Sequence, residues 1–236
     1  LQLRRRAVPF RGRTAFAHLS DGKFTDDEAV TCVANHYIGG GLVCFAERLA
    51  EFDEDRRLLL RHVIPPVTPP AVPLDIGTPG IPAVFRTRVT PRAPDLAPWW
   101  TIAVFNWEDT PAERQVALDV PAATPRLAVF ELVCQRWCGT HPPGASIALR
   151  IPAHGVRVLR IAEWEGRSPI LLGTDCHFTG GAAEIAAIVC GRDGARGKIV
   201  TPWPVPVALT FGCAGGVAPR LVRVTLRQPG IFRCSW

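Results

Sequence analysis

From residue 83 onward the chain is built of apolar runs of only five to eight residues, recurring at roughly ten-residue spacing. Such runs are too short for helices and too regular for loops. Trp100–Phe105, Gln115–Val120, Arg126–Val133, Ser146–Ile151 and Val156–Ile161 are the clearest of them. Several alternate: Val156, Val158 and Arg160 oppose Arg157, Leu159 and Ile161. Turn formers divide them, as at Glu108-Asp109-Thr110-Pro111 and His141-Pro142-Pro143-Gly144. The 23 prolines and 21 glycines are spread between the runs and act as this punctuation. The pattern predicts an antiparallel β-sandwich over 83–165 and a further β-rich segment over 166–236. Pro204–Phe211 and Leu221–Leu226 are the expected strands of that second part.

The front of the chain follows another period. Thr25-Asp26-Asp27-Glu28 is a capping box, in which hydroxyl and carboxylate each satisfy a free helix N–H. Ala29, Val33 and Tyr37 follow at four-residue spacing, and Gly39-Gly40-Gly41 stops the helix. Leu42–Phe45 then reads as a short strand buried on both faces. Asp53 opens a second helix that carries Leu59, Leu60 and Val63, and Pro65-Pro66 ends it. A buried strand between two helices needs parallel neighbours, and no other stretch supplies them. Residues 1–66 are therefore expected to be the end of a larger α/β unit. Seven prolines between Pro65 and Pro82 make 67–82 an extended linker.

Composition limits the chemistry. A hydrophobic content of 47% supports a core, and no apolar stretch is long enough for a membrane span. The net charge of +6 is uneven: residues 166–236 hold eight basic and three acidic side chains. Arg220, Arg223 and Arg227 recur along one expected strand, without a nucleic-acid recognition motif, and read as a solvated face, with an anionic-ligand surface on the basic tail as the alternative. No G-x-S-x-G and no phosphate-binding glycine loop occurs, so neither a serine nucleophile nor a nucleotide cofactor is expected. Cys134, Cys138 and His141 lack a fourth ligand, so no metal is expected either. The acids fall at helix starts and in turns, where they cap. Glu47 and Arg48 differ, because they follow the apolar strand at its C-terminal end. In a (β/α) barrel that end faces the substrate. The competing reading is a surface ion pair. Trp99, Trp100, Trp107, Trp137, Trp164 and Trp203 could stack on sugars if exposed, or pack the sandwich if not.

The order of these features resembles the C-terminal portion of melibiase-type glycoside hydrolases, the α-galactosidase group, which implies that residues 1–66 are the last α/β elements of a truncated (β/α)8 barrel. The stretches that carry the resemblance are Thr25–Ala29, Phe105-Asn106-Trp107-Glu108-Asp109 and Pro152-Ala153-His154-Gly155-Val156-Arg157-Val158-Leu159. Gly173–Gly181 looks like a glycine-bounded stretch that follows the sandwich in some relatives. The resemblance runs from residue 20 to residue 185. It implies a carbohydrate substrate and a retaining mechanism in which one carboxylate attacks the anomeric carbon and another protonates the leaving oxygen. Both carboxylates lie on earlier barrel strands in that family, so no catalytic residue is expected within this chain. Where relatives often end the last barrel strand in aspartate, this chain has Ala46-Glu47-Arg48. Without the catalytic pair, the sandwich could also be a non-catalytic carbohydrate-binding or scaffolding module.

Overall fold

A computed structural model describes residues 24–43, 52–67, 69–213 and 220–236. Helix α1 (Asp26–Gly39) begins at its capping box. The Glu28 amide donates to the Thr25 hydroxyl at 3.3 Å, and the Thr25 amide donates to the Glu28 carboxylate at 2.8 Å. Gly40 ends the helix at φ +56°, and a Cβ there would lie 2.5 Å from Pro70 Cα. Both the backbone angle and the space therefore require glycine. Ala29, Val33 and Tyr37 are buried, with Thr31, Ala34 and Ile38 widening the stripe. Helix α2 (Glu54–Leu59) is capped by Asp53, which accepts from the Arg56 amide at 2.7 Å. It tightens into a 3₁₀ turn at Leu60–His62, and Leu60 and Val63 are buried. Arg56 donates to the Phe24 carbonyl at 2.8 Å and pairs with Asp26 at 3.0 Å, fastening α2 to the start of α1. The strand expected at Leu42–Phe45 is not seen in its described half. Leu42 and Val43 carry no strand pairing and Leu42 is exposed. Cys44 and Phe45 lie outside the described residues.

Among the described residues the remaining elements are all strands. In chain order they are β1 (Val72–Pro73), β2 (Val84–Val89), β3 (Trp99–Phe105), β4 (Ala112–Ala117), β5 (Leu127–Glu131), β6 (Arg136–His141) and β7 (Ser146–Ile151). Then come β8 (Val156–Glu163), β9 (Ile170–Thr174), β10 (Ile185–Gly191), β11 (Gly194–Ile199), β12 (Val207–Cys213), β13 (Arg220–Leu226) and β14 (Ile231–Ser235). They form open sheets, with no closed barrel among the described residues: β1-β2-β3-β8-β5-β6, β4-β7, β13-β12-β9 and β10-β11-β14. The pairings of β5 with β6 and β8, and of β12 with β9 and β13, are antiparallel. The chain is mainly β and antiparallel, as its punctuation predicts.

Two compact units divide the residues. The first holds the residues described up to Thr87, together with Ile102–Val116 and Ser146–Val158. The second holds Arg88–Thr101, Ala117–Ala145 and Leu159–Trp236. In the first unit, β7 shows the cleanest alternation: Ile147, Leu149 and Ile151 are buried and the residues between them exposed. In the second, β12 is buried along its whole length, which is the signature of a central strand covered on both faces. Its Leu209 and Phe211 share one core with Leu171 of β9, Ile188 of β10, Ala195 and Ile199 of β11 and Phe232 of β14. The two three-stranded sheets of residues 166–236 thus pack on a common interior.

Candidate functional site

Glu47 and Arg48, the expected substrate contacts, lie outside the described residues. The stretches carrying the resemblance do not, and the first unit brings two of them together. Asn106, at the end of β3, is fully buried at 0% exposure. Its side-chain amide donates to the carbonyls of Thr110 at 2.8 Å and Pro152 at 2.9 Å. Its side-chain oxygen accepts from the Glu108 amide at 3.3 Å, and its own amide donates to the Gly155 carbonyl at 2.9 Å. A buried amide of this kind is stable only with its partners in place. His154 completes the joint: its amide donates to the Glu108 carbonyl at 3.1 Å, and its ring Nε2 lies 2.8 Å from Asp109 Oδ1. His154 stands at φ +51°, an angle a non-glycine residue adopts only under such restraint. The Thr31 hydroxyl of α1 donates to the His154 carbonyl at 2.7 Å. Phe105 stacks on Trp107 at 4.7 Å with the rings 6° from parallel, and Trp107 Nε1 donates to the Pro82 carbonyl at 3.0 Å. These motif residues serve as a latch that holds two turns and a helix in place.

A second polar cluster lies in the other unit, where the Gly173–Gly181 stretch leaves β9. Thr174, His177, Thr179 and Glu184 are all buried. Glu184 Oε1 accepts from the Thr174 hydroxyl and from the His177 amide, while Oε2 has no hydrogen-bond partner. Burial pushes this carboxyl up to about 7. His177 Nδ1 accepts from the Thr179 amide at 3.0 Å, so the neutral ring carries its proton on Nε2. Trp99 Nε1 donates to the Thr179 carbonyl at 2.8 Å. Arg160 lies over the Trp99 ring, 4.1 Å from its centroid, and donates to the carbonyls of Leu171 at 2.6 Å and Leu172 at 3.3 Å. Burial draws the Arg160 guanidinium down to about 9. The cluster can hold a proton near neutrality, but Glu184 is only 2% exposed and cannot touch a substrate. Sequence reasoning missed both charged members. Arg160 did leave a signal, since it falls in phase with the buried Val156 and Val158 of β8.

The tryptophans do not offer a sugar platform. Trp99 and Trp164 are buried, and Trp100, Trp107, Trp137 and Trp203 are half-buried. Several indole N–H groups are engaged by backbone carbonyls, Trp100 with Pro121 and Trp164 with Ser168 among them. Cys134, Cys138 and His141 also fail to converge: His141 Nε2 lies 2.7 Å from the Cys138 backbone oxygen, not its thiol. Among the described residues no three His, Cys, Asp or Glu side chains are placed to hold a metal ion. No helix there is long and apolar enough to cross a membrane.

No protein family and no curated protein sequence matches the chain. Solved structures do. The chain is similar to α-galactosidase I from Mortierella vinacea over 62% of its own length and 38% of that structure's, at 16% identity and a TM-score of 0.49. It is similar to α-galactosidase from Saccharomyces cerevisiae with raffinose over 61% and 45%, at 11% identity and a TM-score of 0.40. The isomalto-dextranase of Arthrobacter globiformis, complexed with panose, matches 88% of this chain and 44% of its own, at 13% identity and a TM-score of 0.44. The chain thus spans less than half the length of each of these structures.

Proposed function

We propose that the chain is the C-terminal part of an α-galactosidase-like glycoside hydrolase, with the catalytic carboxylates on strands that precede it. The latch around Asn106 carries this reading. Phe105–Asp109 and Pro152–Gly155 are separate in sequence yet close on a single point, and Thr31 fastens helix α1 to it. In this reading residues 1–66 end the barrel, 67–82 link, 83–165 form the sandwich and 166–236 add a further β-rich part. The substrate is a carbohydrate with an O-glycosidic bond, attacked by one carboxylate and protonated by another. Glu47 and Arg48 would face the sugar from the C-terminal end of the last barrel strand. The binding-module alternative needs flat aromatic rings in solvent, and no described tryptophan is exposed. Purified 1–236 is expected to show no turnover of a chromogenic α-galactoside, while the same chain extended by its upstream coding frame hydrolyses it. In the extended enzyme, Glu47→Gln is expected to raise KM about ten-fold, the loss of one charge-assisted hydrogen bond. Turnover by 1–236 alone, or an upstream frame without two strand-end carboxylates, would overturn the proposal.

A further inference from the structure

Three of the eight basic residues of the last third, Arg196, Lys198 and Arg233, share one face of one sheet. In β10-β11-β14 the register sets Arg196 of β11 between Val189 of β10 and Arg233 of β14. The next pairing sets Lys198 of β11 beside Ile231 of β14. Partners in register share a face, and these five side chains are all exposed. The residues between them, Ile188, Ala195, Ile199 and Phe232, are buried, so the alternation leaves no doubt about which side faces solvent. Arg196 and Arg233 are therefore like charges directly opposite each other, an arrangement that costs stability when nothing neutralises it. No acidic residue occupies this face, and no described carboxylate forms an ion pair with either arginine or with Lys198. On the other side of the arginine pair the register places Gly194 against Gly191 and Ser235, a step almost without side chains. Ile231, 88% exposed, adds aliphatic surface beside the charges.

Two forks of donors on a flat, acid-free step match a bidentate anion. The aliphatic neighbours suit the C–H faces of sugar rings. An aromatic platform, on which single-stranded nucleic acid would stack, is missing from the face. We infer that the solvent face of β10-β11-β14 docks an acidic polysaccharide whose carboxylate or sulfate groups bridge Arg196 and Arg233. That the anion is a sugar polymer rests on the hydrolase reading; the need for an anion does not.

The test is binding without turnover, so its failure and the failure of the hydrolase reading are separable. The full 1–236 chain is titrated with heparin and with polygalacturonate at about 0.15 M salt, where the Debye length is near 8 Å. Single-stranded DNA, anionic phospholipid vesicles and a neutral galactan serve as comparators. Binding to one of the acidic polysaccharides is expected, with a ten-fold or greater loss in Arg196→Ser/Arg233→Ser. The slope of log affinity against log salt should fall by about two. A charge-matched control, Arg136→Ser/Arg150→Ser, should bind as the parent does. No polysaccharide binding, an equal loss in the control, or tighter binding to DNA or vesicles would each overturn the inference. Far-ultraviolet circular dichroism confirms that both variants fold.

Discussion

Glu184 shows what one buried carboxyl does to the acid–base behaviour of a domain. Its pKa rises from 4.5 to about 7, because burial penalises the charged form more than the Thr174 hydroxyl and the nearby amides reward it. The folded chain therefore holds a proton that the unfolded chain releases between those values. Stability from this group is complete below pH 4.5 and is lost as pH rises through 7. The loss amounts to roughly 3 kcal/mol, with Asp175 and His177 the neighbouring titratable groups. Glu184→Gln keeps the shape without the titration. Urea denaturation at pH 5 and pH 8 should show a fall in the parent and a flatter profile in the variant. None of this could be read from the sequence, where Glu184 is one acid in an alanine-rich stretch. Its burial depends on Thr174 and His177, which only the turn after β9 brings close. Arg160 was half legible, because the strand period placed it on the buried face while its carbonyl partners on β9 depend on the fold.

Elements were legible where the pattern carried its own ends. The capping box named the first residue of α1, and Ser146–Ile151 is β7 at both boundaries. The expected Gln115–Val120 strand shows how the pattern misleads. The strand is Ala112–Ala117, and Leu118 and Val120 lie beyond it, buried in the turn, with the Leu118 amide donating to the Ala145 carbonyl. Apolar residues report burial, and burial includes well-packed turns. β6 and β11 were missed for the opposite reason. Arg136–His141 and Gly194–Ile199 hold glycines and charges in place of a run of large apolar side chains. The latch between β3 and β8 allows a graded prediction. Thr25→Ala removes one exposed cap and should cost about 1 kcal/mol. Asn106→Ala strands three partly buried backbone groups and leaves a hole at a fully buried position, and should cost about 2–3 kcal/mol. Thermal and chemical denaturation of both variants would give that ranking.

At the scale of the molecule, part of the excess positive charge of residues 166–236 gathers on one face of β10-β11-β14, and a mainly β reading becomes four open sheets among the described residues. The two ends of the sequence reading fared differently, since strand punctuation is local while a strand buried on both faces, as expected at Leu42–Phe45, depends on distant neighbours. The hydrogen bond from Thr31 to His154 joins residues 123 positions apart. Closing so long a loop is entropically slow to repay, so this bond is expected to form after the rate-limiting step. Thr31→Val should then speed unfolding several-fold and leave refolding nearly unchanged, which stopped-flow measurements would resolve. The bond between α1 and the turn before β8 is thus a brake on opening: it governs how long the front of the chain stays in place once it has docked, and has little part in bringing it there.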